Sequence, residues 1–323
     1  MPNLHCEAIA FPSSDGKHTS SAFLYTVPGQ PVRAVLQLSH GMCEYVRRYA
    51  PMAEFYAAHG IALAGNDHLG HGDTAQAGEH GHYGEPNGRC HLLNDLHTMN
   101  RILHERFPDT PIILYGHSMG SFEVRSYIAH HGEGLAGAII CGTGFLPAAA
   151  SGAALKITWL ESFLRGADHR SSFVDSMGAG GYGKAVSNAR TNLDWLSRNR
   201  KNVDDYIADP SCGFMFSVGA YHEVAVLTSE VNSPTCAASV PHDLPLLFIA
   251  GAEDPVGDNG EGVEKAAALA RGAGSTDVEV KIYPRMRHEI LNETGHEQVF
   301  ADVLAWVEKR VAPAPTPQAT SAE

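Results

Sequence analysis

The serine in segment 116–120 stands in a G-x-S-x-G pattern, a spacing at which a serine hydroxyl can act as a nucleophile. The apolar run 112–115 before it predicts a buried strand, and 121–131 after it carries apolar residues at helical spacing. A sharp turn between a strand and a helix lifts the serine oxygen clear of the backbone, and small flanking residues let that turn close. The pattern and its flanks therefore predict Ser118 as the nucleophile of a hydrolytic reaction.

A serine nucleophile needs a base within hydrogen-bond reach and a carboxylate that orients the base. Asp254 lies just beyond the predicted strand 246–250, and His288 lies just beyond the predicted strand 278–283. Loops at the C-terminal ends of parallel strands are where such sheets place their sites. We therefore predict Asp254 as the orienting carboxylate and His288 as the base, in the chain order Ser, Asp, His of an α/β-hydrolase.

Other residues compete for these two roles. The chain has 19 histidines, so most of them are bystanders. His222 and His242 fall in or at the edge of an irregular segment, and His296 opens the final predicted helix. Asp258 is the rival carboxylate but is further from the strand end, and the turn directs Glu253 elsewhere. Position after a strand thus favours His288 and Asp254.

Attack on a carbonyl creates an oxyanion, which preorganised backbone N–H groups stabilise. Met119 follows the nucleophile, so its amide is predicted as one donor. Met42 follows the predicted strand 34–39, and its amide is predicted as the second donor, with Gly41 allowing the chain to bend. The alternative is that His40 and Gly41 form only a turn.

Strand and helix patterns alternate on both sides of these motifs, which predicts an α/β fold with a mostly parallel sheet and helices on both faces. We predict an antiparallel edge hairpin (7–11 and 21–27), further strands at 34–39, 61–65, 112–115, 135–141, 246–250 and 278–283, and helices at 49–59, 91–107, 121–131, 262–273 and 297–310.

An irregular, helical stretch interrupts the alternation. We interpret residues 145–242 as an inserted, mainly helical cap, and residues 1–144 and 243–311 as the core. Residues 312–323, rich in Pro, Ala, Thr and Ser, are predicted to be a disordered tail.

The composition excludes some classes of protein. A formal net charge of −13, without a Lys or Arg cluster, argues against a nucleic-acid binder. The chain shows no basic leader followed by an apolar stretch and no run of membrane-spanning length, so we expect a soluble, cytoplasmic protein without an integral membrane span. Its 6 cysteines form no C-x-x-C pair, which predicts reduced thiols.

We predict neither a cofactor nor a metal ion. Residues 178–183 fit G-x-G-x-x-G literally, but no apolar strand precedes them and no clear helix follows. Four histidines close in sequence are irregularly spaced and lack a nearby carboxylate frame: His68, His71, His80 and His82. Cys43, close to the predicted oxyanion loop, is interpreted as an ordinary buried cysteine more than as a reactive thiol.

Taken together, five segments resemble the monoacylglycerol lipase and lysophospholipase branch of the α/β-hydrolases: His40-Gly41-Met42, Asp67-His68-Leu69-Gly70-His71-Gly72, Gly116-His117-Ser118-Met119-Gly120, Asp254-Pro255 and Arg287-His288-Glu289. The resemblance extends over nearly the whole chain except the tail. It implies a carboxylic ester hydrolase with an acyl-serine intermediate, no cofactor, and a cap that lines an acyl pocket. The substrate-binding residues we expect on this basis are Gly41, Phe145, Trp159, Phe163, Met177 and Tyr182.

One departure from the family is Cys43-Glu44-Tyr45, where members often have a glycine before the glutamate and a histidine after it. Catalysis is expected to survive this departure, because the oxyanion donors are backbone groups. What the departure affects is the preference for the acyl group or the alcohol. The expected partner is a small ester with an acyl chain, and exposed apolar residues of the cap leave transient contact with a lipid surface open. No oligomeric state is predicted.

Two other functional classes stay open. A peptidase of the related aminopeptidase type would need an acidic pocket for the substrate amine, which Asp204, Asp205 and Glu161 could supply, although exposed charge is their default interpretation. A binding protein that kept the fold and lost turnover is disfavoured by the complete set of predicted catalytic residues.

Overall fold

A central sheet organises the protein, whose computed structural model describes residues 4–83 and 87–311. The described residues form eight strands: β1 (His5–Pro12), β2 (Thr19–Thr26), β3 (Ala34–Ser39), β4 (Ile61–Asn66), β5 (Ile112–His117), β6 (Gly137–Cys141), β7 (Leu246–Gly251) and β8 (Val278–Tyr283). Their order across the sheet is β1-β2-β4-β3-β5-β6-β7-β8.

The sheet is antiparallel at one edge and parallel elsewhere. β1 pairs with β2, and β2 with β4, in antiparallel fashion. The other pairs are parallel: β3 with β4, β3 with β5, β5 with β6, β6 with β7, and β7 with β8. The predicted edge hairpin and the predicted mostly parallel α/β sheet are confirmed. Both hairpin strands begin two residues earlier than predicted, because pairing extends past the apolar residues from which they were predicted.

Ten α-helices occur in the described residues: α1 (Ala50–Ala58), α2 (Gly88–Arg106), α3 (Met119–His131), α4 (Ala148–Arg165), α5 (Ser172–Met177), α6 (Arg200–Ala208), α7 (Val218–Val231), α8 (Pro234–Ala238), α9 (Glu261–Gly272) and α10 (His296–Glu308). None of these helices is both long enough and apolar enough to cross a membrane.

Helices cover both faces of the sheet. The side chains of β5 alternate: Ile113 and Tyr115 pack in the apolar cluster that contains residues of α1 and α10, whereas Leu114 packs with residues of α2, α3 and α9. Every residue of β5 is buried, as expected for a parallel strand with helices on both sides. The hydrophobic core thus holds the C-terminal ends of β3, β5, β6 and β7 in fixed positions.

The chain between β6 and β7 leaves the sheet and contributes helices α4 to α8. β6 and β7 are nevertheless direct neighbours, with Ala138 paired to Leu246 and Cys141 to Ile249. α7 packs on α3 through Phe122, Leu227 and Val231. The sheet is therefore continuous across the insertion. That residues 145–242 act as a cap remains a prediction, and the predicted tail, 312–323, lies outside the described residues.

Candidate active site

Ser118 occupies the junction between β5 and α3. Its backbone angles, φ 54° and ψ −118°, are rare for a residue other than glycine. The Ser118 N–H donates to the Cys141 carbonyl at 2.9 Å, and the Ser118 carbonyl accepts from the Ser121 N–H at 2.9 Å and from the Ser121 hydroxyl at 2.5 Å. These bonds hold a strained turn of the kind that exposes a serine oxygen at the edge of a sheet.

Close packing accounts for the two glycines of the pattern. A Cβ atom on Gly120 would collide with the Ser39 carbonyl at the end of β3. A Cβ atom on Gly116 would collide with the carbonyl of Gly120. The first turn of α3 therefore lies directly against the backbone of two neighbouring strands, and only a residue without a side chain permits that approach.

Asp254 and His288 meet in the interior although they come from different loops. His288 Nδ1 lies 2.9 Å from Asp254 Oδ2, and their side chains are 2% and 0% exposed. The other oxygen of Asp254 accepts the Val256 N–H at 2.9 Å. With Nδ1 donating to Asp254, Nε2 is the unprotonated nitrogen of a neutral imidazole, the one that accepts a serine proton in a Ser-His-Asp triad.

Packing fixes the plane of the His288 ring. The Trp195 ring centroid lies 5.0 Å from that of His288, and the His117 centroid lies 4.8 Å from it. A Cβ atom on Gly142 would approach His288 Cε1 to 3.1 Å, so the missing side chain there leaves room for the imidazole. His117 immediately precedes Ser118, and its contact with His288 brings the predicted base next to the Ser118 turn.

The two neighbouring imidazoles differ in basicity. Burial acts to lower the pKa of His288, but the charge and hydrogen bond of Asp254, together with Glu289 and Glu44, raise it above its ordinary value. Burial and the nearby His288 lower the pKa of His117 to about 3. His117 is therefore neutral at working pH, and of the two rings His288 is the one suited to take up a proton.

The loop after β3 lies against Ser118, the predicted nucleophile. A Cβ atom on Gly41 would come within 3.2 Å of Ser118 Cβ. The Gly41 N–H donates to Glu44 Oε1 at 2.6 Å, and the Gly41 carbonyl lies 2.8 Å from His40 Nδ1, which donates to it. Both peptide groups that flank Gly41 are therefore held in place, including the one that carries the Met42 N–H.

The two predicted oxyanion donors come from loops that the structure brings together. Met119 is buried in an apolar cluster with Phe216 and Tyr221, and the partly buried Met42 packs against the same cluster. In residues 4–83 and 87–311, no acceptor takes the N–H of Met42 or of Met119. The oxyanion role of these amides remains a prediction.

The residues predicted to bind substrate fall into two groups. Phe145 packs partly buried against a core cluster, and Tyr182 lies with its ring 5.0 Å from that of Trp195, which itself contacts His288. In contrast, Trp159 and Phe163 are 57% and 73% exposed on α4, where their rings stack at 5.5 Å. Met177, at the end of α5, is 49% exposed.

A buried ion network beside the site was missed by the sequence reasoning. Glu289, directly after His288, binds Arg48 through both of its carboxylate oxygens at 3.0 Å. Arg48 also donates to Glu44 at 2.6 Å. The local signal was the four-residue spacing of Glu44 and Arg48, which suits a helical ion pair. Nothing local indicated Glu289, because its partner lies 241 positions away.

No set of three His, Cys, Asp or Glu side chains is placed to hold a metal ion in the described part of the chain. His68 and His71 are buried beside His40, at ring distances of 4.0 Å and 5.2 Å from it. The glycine-rich segment 178–183 lies at the end of α5 and in a 3₁₀ turn, Ala179–Ala185, so no strand leads into it. A strand is what a dinucleotide-binding glycine loop requires.

Known proteins resemble this chain over most of its length. A family model described as serine aminopeptidase, S33, matches residues 30–295. The monoacylglycerol lipase of Mycolicibacterium smegmatis is 27% identical over 285 residues, 87% of this chain and 90% of that protein. The monoglyceride lipase of Mus musculus is 25% identical over 303 residues, 90% of this chain and 87% of that protein.

A solved structure resembles the three-dimensional arrangement as well. The thermostable carboxyl esterase of Bacillus coagulans, in complex with glycerol, has a TM-score of 0.88 and 29% sequence identity. The match covers 95% of this chain and 99% of that chain, so it includes the insertion as well as the sheet.

Proposed function

Because the chain belongs to the serine aminopeptidase family of α/β-hydrolases and is a hydrolase of the esterase and lipase type, we propose that it cleaves carboxylic esters of lipid-like or small apolar substrates through an acyl-serine intermediate. The observation that carries the proposal is the buried His288–Asp254 pair, 2.9 Å apart, beside the strained Ser118 turn. The catalytic residues of the proposed reaction are Ser118, His288 and Asp254.

Acyl transfer uses these groups in a fixed order. Ser118 Oγ bonds to the ester carbonyl carbon as its proton passes to His288 Nε2, and Asp254 stabilises the imidazolium that forms. Collapse of the tetrahedral intermediate breaks the bond to the alcohol oxygen, which takes the proton from His288. A water molecule then repeats both steps on the acyl-serine, which releases the carboxylic acid and restores Ser118.

The amides of Met42 and Met119 are the proposed donors to the tetrahedral oxyanion. Two observations support this role. The Gly41 carbonyl, in the peptide group that carries the Met42 N–H, accepts a hydrogen bond from His40. Met119 is the first residue of α3, and the helix dipole favours negative charge at the start of a helix. A donor of this kind is worth about 10²- to 10³-fold in kcat.

We assign residues 145–242 as a cap that covers the site. Backbone hydrogen bonds support this assignment, because the His288 N–H donates to Trp195 at 3.4 Å and the Glu289 N–H donates to Leu196 at 2.7 Å. The Gly213 N–H likewise donates to the carbonyl of Cys43, just after the oxyanion loop, at 3.1 Å. The segment is thus attached to both loops that frame the nucleophile.

Exposed apolar side chains on α4 and α5 support an acyl substrate delivered from a lipid surface. These residues are Trp159, Leu160, Phe163, Leu164, Phe173 and Met177. Clustered exposed apolar side chains of this kind commonly mark a surface that contacts a ligand, a protein or a membrane. Relatives of this chain are named monoacylglycerol and monoglyceride lipases, and the carboxyl esterase was solved with glycerol, so an acylglycerol is the substrate class we favour.

An aminopeptidase is the alternative raised by the family description. The acidic residues that would bind a substrate amine are each paired with a neighbouring cation: Asp204 with Arg190 at 2.6 Å, Asp205 with Lys201 at 2.6 Å, and Glu161 with Arg165 at 3.5 Å. Side chains that are neutralised separately do not form a common pocket for an ammonium group. These pairings favour the esterase.

A panel of p-nitrophenyl esters, monoacylglycerols and aminoacyl anilides tests the proposal, combined with labelling by a fluorophosphonate. We expect ester turnover, one label per chain on Ser118, and no label on a folded Ser118→Ala variant, whose kcat falls by at least ~10⁴-fold. Ser239→Ala, which removes an exposed hydroxyl elsewhere, is the matched control. Faster cleavage of anilides than of esters would favour the peptidase, and wild-type turnover by Ser118→Ala would refute the assignment of the nucleophile.

A further inference from the structure

One guanidinium joins two loops that frame the nucleophile. Arg48 donates to Glu44 at 2.6 Å and to both oxygens of Glu289 at 3.0 Å. Glu44 belongs to the segment after β3, and Glu289 is the residue directly after His288. We call these three residues, Glu44, Arg48 and Glu289, the Arg48 bridge.

The Arg48 bridge is buried, and its two carboxyl groups differ: burial raises the pKa of Glu44 although Arg48 opposes the rise, whereas Glu289 is ionised. The side chains of Glu44 and Glu289 are each 4% exposed, and that of Arg48 is 12% exposed. Burial acts to raise the pKa of Glu289, but the charge of Arg48, with hydrogen bonds from Arg48 and Asn202, lowers it to about 2. Burying two carboxylates with one guanidinium costs free energy unless every polar atom finds a partner.

Partners from other elements complete the bridge. Asn202 of α6 donates to Glu289 at 2.7 Å, and Asn292 donates to the same oxygen at 3.0 Å. The guanidinium of Arg48 lies 4.8 Å from the ring centroid of Tyr206, also on α6. A buried charge group with this many bonds to separate segments has one low-energy geometry, so it sets the distances between those segments.

Each end of the bridge is attached to a group that the reaction uses. Glu44 accepts the Gly41 N–H at 2.6 Å, and Gly41 precedes the proposed oxyanion donor Met42. Tyr49 donates to the same Glu44 oxygen at 2.8 Å, which fixes that carboxylate. At the other end, Glu289 is covalently joined to His288. The oxyanion donor and the base are thus connected through a single rigid set of hydrogen bonds.

We propose that Glu289 is a positioning residue for the hydrolytic reaction, which through Arg48 and Glu44 holds the His288 loop and the oxyanion loop at the separation that catalysis needs. The proposal rests on the function proposed above. Its physical basis is that a shift of about 1 Å between reacting groups costs on the order of 10²-fold in rate. The side chain of Glu289 bonds to Arg48, Asn202 and Asn292, and none of these is a residue that we expect to bind substrate, so its loss should affect kcat more than KM.

The charge of Glu289 provides a second readout. Three acidic groups in the described residues raise the pKa of His288 against the effect of burial: Asp254 from the loop after β7, Glu289 from the loop of His288 itself and Glu44 from the oxyanion loop. On the opposite side, His117 stays neutral, since its pKa is lowered to about 3. Loss of the Glu289 charge therefore lowers the pKa of His288 and moves the acid limb of the pH–rate profile to lower pH.

Glu289→Gln tests the proposal, because the amide keeps the size of the side chain and removes its charge. We expect kcat on p-nitrophenyl butyrate to fall by about 10- to 100-fold with KM within about twofold, and the acid limb to move to lower pH. Because Glu289 and Glu44 act through the same Arg48, the double variant Glu44→Gln/Glu289→Gln loses less than the product of the two single losses.

Asn202→Ala is the second variant, in case loss of the charge prevents folding. It removes one hydrogen bond from a neutral amide to the Glu289 carboxylate and lowers kcat by about threefold, with the charge of Glu289 and the acid limb unchanged. Glu253→Gln is the matched control: it removes a carboxylate one residue from Asp254 that binds Arg198 at 2.7 Å, outside the bridge. We expect wild-type kcat and an unshifted acid limb for this control.

Wild-type kcat and an unshifted acid limb in folded Glu289→Gln would overturn the proposal, as would an equal shift in Glu253→Gln. If Glu289→Gln does not fold, wild-type kcat in Asn202→Ala would overturn it. Fluorophosphonate labelling of the wild-type protein separates these outcomes from failure of the proposed function. A wild-type protein that is not labelled on Ser118 would refute the esterase itself, whereas labelled wild type with unaffected variants would refute only the role of Glu289.

Discussion

Trp195 packs its ring 5.0 Å from the ring of His288, and its carbonyl accepts the His288 N–H at 3.4 Å. Trp195 comes from the insertion between β6 and β7, whereas His288 follows β8. The proposed base is thus held by a residue outside the sheet. Changes in the insertion are therefore expected to alter the geometry of the imidazole as well as access of substrate.

Replacement of the proposed orienting carboxylate tests the role of Asp254. Asp254→Asn keeps the shape of the side chain but favours the wrong imidazole tautomer at Ser118, so we expect kcat to fall by about 10⁴-fold. Asp258→Asn is the matched control, since Asp258 lies in the same loop. Steady-state hydrolysis of a p-nitrophenyl ester by both purified variants measures the effect. An active Asp254→Asn with an inactive Asp258→Asn would move the role to Asp258.

The pH dependence of kcat follows from the raised pKa of His288. Only the neutral imidazole takes the serine proton, so activity falls as His288 becomes protonated, and the raised pKa places this fall above the ordinary value of about 6.5. The raised pKa also means that protonation of His288 favours the folded state, a contribution present at low pH and lost as pH rises through the folded pKa. Activity should therefore disappear before the fold does.

Rates and circular dichroism recorded across the same pH series check this order. A rate that stays flat from neutral to distinctly acidic pH, in protein that remains folded, would exclude His288 as the base. Coincident loss of rate and of ellipticity would attribute the acid limb to unfolding instead.

Glu123 provides a prediction about stability. This carboxyl is fully buried in α3 and accepts the Ser39 hydroxyl at 2.8 Å, and burial raises its pKa from 4.5 to about 8. Because the folded protein binds this proton more tightly than the unfolded chain does, protonation of Glu123 stabilises the fold. This contribution is complete below about pH 4.5 and is lost as the pH rises to about 8. Glu123→Gln, neutral at every pH, should be the more stable protein at pH 9 by on the order of a few kcal/mol.

Thermal or urea unfolding of both proteins at several pH values measures the difference. We expect the gap between Glu123→Gln and wild type to widen with pH up to about 8 and then to level off. Glu264→Gln, on the exposed side of α9, is the control and should show no such trend. A gap that does not change with pH would mean that Glu123 is not protonated in the folded protein.

The exposed apolar residues of α4 predict a dependence on acyl length. Phe163→Ser should leave the melting temperature nearly unchanged, because Phe163 is 73% exposed. It should lower kcat/KM for a long-chain monoacylglycerol in vesicles by about tenfold relative to a short p-nitrophenyl ester, since one large apolar contact is worth about 1.5–3 kcal/mol when buried. Ile207→Ser, at another exposed apolar position, is the matched control. Equal losses on both substrates would argue against contact between Phe163 and the acyl chain or the lipid.

Local patterns in the sequence were sufficient to predict most of the scaffold. β3 and β8 have the predicted bounds, because an apolar run between turn residues defines a buried strand with little help from the rest of the chain. α3 begins at Met119, two residues before the predicted start, and α2 begins at Gly88, three residues before it. First turns lack the apolar periodicity from which helices are predicted, so their starts depend on how the chain enters them.

The sequence by itself determined the turn at Ser118 and the loops that carry Asp254 and His288, because steric rules for glycine and strand ends act over a few residues. Only the tertiary structure decided which distant groups surround them. Glu289 meets Arg48 across 241 positions, and Trp195 reaches His288 from an insertion with no repeating pattern. Many residues of the chain have a charge or an apolar side chain that could pair with a given buried group. Only packing in three dimensions determines which of them lies next to it, and local spacing in the sequence does not indicate the partner.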